Sequence, residues 1–412
     1  MPSFSIPLSG LNANSQALSV IANNLANLNT TGYKATRVLF QDLFYQQIGS
    51  GGSGNPQQVG VGVTTSAIST LSTQGSIESS GVSTDVAIQG DGFFVIDKGG
   101  TRFYTRAGNF TLDSDGVLTS GDGGQVLGIP AVNGIIGANQ PLGPLTVASG
   151  QINPPQQTSN IQLALNLNAD AAIGTSFRTA VGIYDPLGGP HVLTFEYTKS
   201  AANAWDYEIT IPAEDLGQTG SPVVVNSGQL IFDGAGRMTG PAADVTGINI
   251  SGFANGADPI DFTWQLLDAT GTPSITQVAA PSAVSFTRQD GFASGTLQNF
   301  TIGSDGVIQG IFSNGQTRPL GQIGLATFAN LQGLLRSGNN GFLATLSSGA
   351  PSIGVPGTGG RGTLAGSSLE LSNVDIAREF AQLIIAQRGF QANSRAITTF
   401  DEVAQEAINL KR

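Results

Sequence analysis

The sequence predicts a mainly β protein with a long α-helix at each end, and three observations carry that expectation. Near the N-terminus Leu11, Leu18 and Leu25 recur every seven residues, interleaved with Ile21 and Leu28 at the same spacing. Near the C-terminus Ile376, Leu383, Phe390 and Ile397 do the same, and Phe380, Ile384, Phe400, Val403 and Ile408 widen the stripe. A seven-residue apolar repeat marks a helix face that seeks another helix. Between the two ends lie Gly, Ser, Thr and short apolar runs, which suit strands. The terminal helices are expected to pair as a coiled coil. The β-rich body is expected to be discontinuous in sequence and to carry an inserted β-sandwich or barrel.

The first helix is expected from about Ser9 to Asn29, with Gly32 placed as a left-handed C-terminal cap. Asn23, Asn24 and Asn27 are poor helix formers, each costing about 0.5 kcal/mol or more relative to Ala. Amide hydrogen bonds to a neighbouring helix would explain them; a frayed, weak helix is the alternative. Residues 33–70 read as a connector. Its segment Gly49–Gly62, GSGGSGNPQQVGVG, has the composition of a flexible linker. Short β-runs broken by Gly then begin: VAI at 86–88, FFVI at 93–96, RFY at 102–104 and NFTL at 109–112.

An internal repeat follows. Residues 109–118 read NFTLDSDGVL and residues 299–308 read NFTIGSDGVI, seven of ten positions being identical at an offset of 190. In each, apolar strands flank a Ser-Asp-Gly turn, at Asp115-Gly116 and at Asp305-Gly306, a hairpin signal because Asp-Gly tolerates positive φ. Gly-rich runs end in Leu127-Gly128 after the first copy and Leu320-Gly321 after the second. Two related hairpins so far apart predict one β-domain in two halves, 71–145 and 285–365, around an insert at 146–284. The insert has alternating strands at Ile161–Leu167, Val192–Tyr197 and Tyr207–Ile211 and holds both tryptophans, Trp205 and Trp264. Ser372-x-x-Asp375 then resembles a helix N-terminal box. A helix from Asn373 to Arg412 would span about 60 Å at 1.5 Å per residue, with Gly389 as its weak point. The terminal helical domain is placed at 1–32 with 366–412.

Composition narrows the function. Gly contributes 57 of 412 residues, about twice the ordinary ~7 %, and charged residues only 11 % against the usual ~25 %. Such a surface suits packing against neighbours. The net charge of −11 repels phosphate backbones, so no nucleic-acid partner is expected. No apolar run reaches the ~18 residues needed to span a bilayer, and the N-terminus lacks the pattern of a secretory signal. With no Cys and one His, neither a zinc site nor a Ser-His-Asp arrangement can be assembled. His191, after Gly188-Gly189-Pro190, reads as capping a turn before a strand. Asp85, Asp91, Asp97, Asp206 and Asp233 lie singly in turns, the ordinary place of Asp. Asp113-Ser114-Asp115-Gly116 hints at a calcium loop, but the second copy puts Gly303 where Asp113 stands and keeps only the turn. No catalytic residue, cofactor site or metal site is expected.

Ala22-Asn23-Asn24-Leu25-Ala26-Asn27 followed by Thr31-Gly32-Tyr33-Lys34 resembles the N-terminal signature of the bacterial flagellar rod and hook proteins. The resemblance continues through Asp85-Val86-Ala87-Ile88, Gly92-Phe93-Phe94 and Tyr104-Thr105-Arg106-Ala107-Gly108-Asn109-Phe110. It closes with Ser372-Asn373-Val374-Asp375, then Gln387-Arg388-Gly389-Phe390-Gln391-Ala392-Asn393-Ser394 and Ala396-Ile397. It covers roughly 1–145 and 285–412. Length and the insert resemble the hook branch; a long connector keeps the distal rod branch as an alternative, and a secreted carbohydrate-active β-protein is an alternative of another class. The resemblance implies terminal helices lining an inner tube, an outward-facing insert, and a curved homopolymer acting as a universal joint between rod and filament. Implied partners are further copies of the chain, the distal rod protein, the hook cap, the hook–filament junction protein and the flagellar type III export apparatus. It also implies an extracellular location reached without a cleaved signal.

Overall fold

Apolar periodicity at both termini resolves into two helices, α1 (Ser5–Ala26) and α2 (Ile376–Asn409), which run antiparallel against each other. The computed structural model describes residues 4–50, 56–137, 140–148, 150–268 and 270–410. It divides into two units: Met1–Ser149 with Asn299–Ile311 and Thr317–Arg412, and Gly150–Gln298 with Phe312–Gln316. α1 begins four residues before the expected Ser9 and ends before Asn27. α2 starts later than Asn373 because Asp375 is its N-cap, its side chain accepting from the Arg378 N–H at 3.1 Å. Residues 363–370, assigned in part to the helical domain, form two short strands that pair with Val86–Gln89 and Ile77–Ser79.

The connector is not slack chain. Thr36–Asp42 pairs with Val63–Thr70, and Tyr45–Ser50 pairs with Pro56–Gly60, each antiparallel and each with a bulge. Its expected flexible tip at 51–55 lies outside the described residues. The ribbon is tied to α1, where Ser9 Oγ accepts from the Val63 N–H at 3.1 Å and Thr65 bonds Gln16.

In the body of the first unit the strands Thr317–Ile323, Gln125–Pro130, Phe93–Lys98, Thr101–Thr105, Gly341–Leu343 and Leu335–Gly338 follow one another in antiparallel order. Phe93, Val95, Tyr104, Leu127, Ala326 and Phe342 fill one core beneath them. The repeat explains the centre of this sheet. Leu127-Gly128 and Leu320-Gly321 are offset by 320 − 127 = 193, and the observed pairs are Gly128↔Ile323, Ile129↔Gln322 and Pro130↔Gly321. Ile129 therefore faces its own counterpart, 129 + 193 = 322, and its two neighbours face each other's counterparts. The two copies meet across a local two-fold axis. Both crossing glycines are needed there: a Cβ on Gly128 would lie 2.2 Å from the Gln322 carbonyl oxygen, and one on Gly321 3.1 Å from that of Ile129.

The second unit holds two five-stranded sheets. One is the antiparallel run Ser176–Tyr184, Pro190–Ala201, Ala204–Ile211, Val223–Phe232 and Met238–Gly240. The other centres on Asn160–Asn168, with Ile260–Gln265 and Ile275–Val278 parallel to it and Ala283–Gln289 antiparallel. Alternation buries Ile161, Leu163, Leu165 and Leu167 from one sheet against Phe195, Tyr197, Trp205 and Tyr207 from the other, with Trp264 among them. The insert is a sandwich, and its limits differ from 146–284. Leu145 and Val147 belong to the first unit, the Val147 N–H donating to Gly116. Residues 285–298 belong to the second, because the strand Ala283–Gln289 completes its sheet.

Candidate assembly interface

The seam between the helices is built from small residues. Along α1, Pro7, Gly10, Ala13, Ala17, Ile21 and Asn24 are buried at a three- and four-residue spacing; Gly10, Ala17 and Ile21 pack against α2, while Asn24 turns toward Thr36. At its centre two Gly–Asn contacts mirror each other. A Cβ on Gly10 would lie 2.7 Å from Asn393 Nδ2, and one on Gly389 2.8 Å from Asn14 Oδ1. Each Asn donates to the carbonyl four residues earlier in its own helix, Asn14 to Gly10 at 2.7 Å and Asn393 to Gly389 at 3.0 Å. The amides are thus locked as knobs, and only a glycine opposite leaves room for them. Gly389, read as the weak point of α2, packs directly against Asn14 of α1.

The expected leucine stripe lies beside this seam. Ile21 is buried against Ala17 and Ala386, with Leu18, Leu25 and Leu383 packed around them. Leu11, Leu28, Phe390 and Ile397 are half-buried. Ile376, Phe380 and Ile384 are 46, 51 and 50 % exposed, an apolar row at i, i+4 and i+8 about half of which stays open to solvent. The structure therefore brings together only part of the predicted interface. Gly10, Ala13, Asn14, Ala17 and Ala386 were missed; their small size at three- and four-residue intervals was the available signal.

The asparagine cluster closes the chain reversal after α1 and, among the described residues, makes no bond to a neighbouring helix. Asn24 is buried; its Nδ2 donates to the Thr36 carbonyl at 2.8 Å, and its Oδ1 accepts the Thr36 N–H at 3.0 Å and the Tyr33 hydroxyl at 3.3 Å. Asn23 Nδ2 donates to the same Tyr33 hydroxyl, and Asn27 Oδ1 accepts from Thr30. Gly32 takes φ 68°, and a Cβ there would meet the Arg106 and Ala107 backbone at 2.6 Å. Asn340 Nδ2 donates to the Thr31 carbonyl at 2.8 Å. Across the reversal, Asn373 Oδ1 accepts the Ala35 N–H and its Nδ2 donates to Leu71 and Thr73.

Beneath the reversal lies a buried ion triad that sequence reading missed. Lys34 Nζ is 2.6 Å from Glu370 Oε1, and Arg106 Nη1 is 3.3 Å from Glu370 Oε2. Lys34 also donates to the Thr73 carbonyl, Arg106 to that of Gly90, and the Gly75 N–H to Glu370. Burial pushes both cations below their ordinary values, against the opposing pull of the Glu370 carboxylate. The triad ties the segments bearing Thr31-Gly32-Tyr33-Lys34, Tyr104–Phe110 and the approach to α2 into one rigid socket for the helix pair.

The remaining predicted positions are structural. Gly116 and Gly306 sit at φ 76° and 81° in matching turns, closed by Asp113 N–H to Val117 and Gly303 N–H to Val307. Asp113 Oδ1 accepts from residues 115 and 117, and in the second copy Asp305 Oδ1 takes over the bond to the Val307 N–H. His191 starts a strand, with Nε2 3.1 Å from Asp185, which itself accepts the Gly189 N–H of the preceding turn. Among the described residues no group of three His, Cys, Asp or Glu could hold a metal, and no helix is long and apolar enough to cross a membrane.

Models described as Flagella basal body rod protein, Flagellar hook protein FlgE/F/G D1 domain, Flagellar basal body protein FlaE D2 domain and Flagellar basal body rod FlgEFG protein C-terminal match residues 6–34, 87–166, 157–292 and 365–410. Flagellar hook protein FlgE of Treponema pallidum (strain Nichols) is 36 % identical, covering 98 % of each chain. The chain belongs to the flagellar hook protein family. Flagellar hook protein FlgE of Escherichia coli (strain K12) is 32 % identical over 99 % of this chain and 100 % of that one. Flagellar basal-body rod protein FlgG of Bacillus subtilis (strain 168) is 29 % identical over 98 and 97 %. The crystal structure of Helicobacter pylori flagellar hook protein FlgE2 shares the fold with a TM-score of 0.53 at 18 % identity, over 70 % of this chain and 98 % of that one.

Proposed function

We propose that this chain is the structural subunit of a bacterial flagellar hook, polymerising into a curved hollow tube that passes torque from rod to filament as a flexible joint. The observation that carries the reading is the open apolar row Ile376, Phe380 and Ile384 on a helix whose adjoining face, at Leu383, Ala386 and Gly389, is already packed against α1. Exposed contiguous apolar surface marks an interaction site. The ribbon adds Leu39, Phe40, Phe44, Tyr45, Ile48 and Val59, with Phe44 91 % exposed. Two unlike sticky surfaces on one subunit favour head-to-tail contacts, which propagate as a helical polymer.

Membership in a structural family supports a mechanical role over an enzymatic one. The partners of the reading are other copies of the chain, the distal rod protein below, the hook cap and hook–filament junction protein above, and the type III export apparatus that delivers it outside the cell. A distal rod subunit is the second reading, favoured by the match to a rod protein along nearly the whole chain. Electron microscopy of the purified chain under polymerising conditions tests both. Curved tubes are expected from the full chain, and folded monomers from a variant lacking 1–27 and 376–412. Straight rods would favour the second reading, and tubes from the truncated variant would overturn the assembly role of the helices.

A further inference from the structure

We infer that an exposed charge stripe on α2 sets the axial register between neighbouring copies; this rests on the self-assembly proposed above. Arg388, Arg395 and Glu402 are spaced by seven residues, and Glu406 follows one turn later, so all four lie on one side of α2 within about 40° at 100° per residue. All four are exposed. Among the described residues none of them has an ion-pair partner. α1 offers none, since Ser5–Ala26 contains no charged residue.

The pattern does nothing for the helix that carries it. Stabilising pairs within a helix stand three or four residues apart, whereas the positions four beyond Arg388 and Arg395 are Ala392 and Thr399. Glu406 falls in the last turn, where the helix dipole disfavours an anion. Two cations toward one end and two anions toward the other make the stripe self-complementary for a second copy of α2 lying parallel and displaced along its axis. At 1.5 Å per residue, a displacement of about 17 to 21 Å sets Arg388 beside Glu402 and Arg395 beside Glu406 at once. Facing copies without that displacement would oppose like charges. Apolar contact at Ile376, Phe380 and Ile384 supplies adhesion but little register, and the charges supply the register.

The test is a charge exchange on the full-length chain, reading the critical concentration for polymerisation by sedimentation. Arg388→Glu with Arg395→Glu should raise it at least tenfold, as should Glu402→Arg with Glu406→Arg. An equimolar mixture of the two variants should co-polymerise, and the fourfold exchange should return to within about twofold of the parent. Unchanged thermal unfolding of the monomers separates these effects from misfolding. Single-sign variants that polymerise like the parent, or a mixture and a fourfold exchange that both fail, would overturn the stripe while leaving self-assembly intact. A parent chain that stays monomeric at every concentration would overturn the assembly reading and the stripe with it.

Discussion

At Gly389 one methyl group decides whether two helices can touch. Replacing Gly by Ala inside a helix ordinarily gains about 1 kcal/mol of helix propensity. Here the new Cβ would stand 2.8 Å from Asn14 Oδ1 and 3.1 Å from its Cγ, and that amide is already bound to the Gly10 carbonyl. Gly389→Ala is therefore expected to weaken assembly while raising the helicity of the isolated segment. Adding Asn14→Ala should restore assembly by clearing the space. Polymer yield and circular dichroism measure both, and an assembly-competent single variant would refute the tight seam. The same scale shows what could be read in advance. The Asp-Gly turns were legible because a positive φ leaves few residue choices. Glu370 was not, because its partner Lys34 is 336 residues away and no local pattern marks a residue whose purpose is a distant ion pair.

Elements with a buried face announced themselves, and elements without one did not. The insert strands alternate because each has one wet and one dry side, so Asn160–Asn168 was found nearly whole and Ala204–Ile211 from Tyr207 onward. The ribbon residues Gln57, Gln58 and Gly60 have no buried face, and their composition reads as linker. The strand Ala283–Gln289, mostly exposed, was cut at Val284 for the same reason. That strand is held by Asp290 just beyond it, which accepts the Ser159 and Asn160 N–H groups at 2.8 and 2.9 Å and Asn160 Nδ2 at 2.8 Å. Burial pushes the Asp290 carboxyl up, but these bonds together outweigh it and hold it below its ordinary value of 3.8. Between the folded and unfolded pKa the unfolded chain binds more protons. The contribution of Asp290 is thus complete above the unfolded value and lost as pH falls through the folded one. Trp205 and Trp264, both in the insert core, report its unfolding by fluorescence. Acidification from about pH 5 to pH 2 should lower the Tm of the parent more than that of Asp290→Asn. Equal slopes would show that Asp290 does not staple the sheet edge.

For the whole molecule, the two-fold relation between Gln125–Pro130 and Thr317–Ile323 means that the body is completed by its own repeat, with the insert looped out between the copies. The chain leaves and re-enters through adjacent strands: Ile152 pairs with Thr296, and the Leu297 N–H donates to the Gln151 carbonyl at 2.9 Å. Removing 153–295 and joining Ile152 to Thr296 through Asn-Gly would convert that crossing into an ordinary two-residue hairpin, whose turn accepts positive φ at both positions. The deletion spares the seam, the socket around Glu370 and the α2 stripe, so the shortened chain should fold and polymerise. What it should lose is control of shape. In a curved tube the subunits on the inner side crowd while those on the outer side separate, and the insert is the largest part of the chain that serves neither helix pairing nor the socket. Tubes from the shortened chain are expected to be straighter than those of the parent by electron microscopy. Tubes of unchanged curvature would place bending within the helices and ribbon, and a chain that folds but no longer polymerises would mean that the insert supplies adhesion.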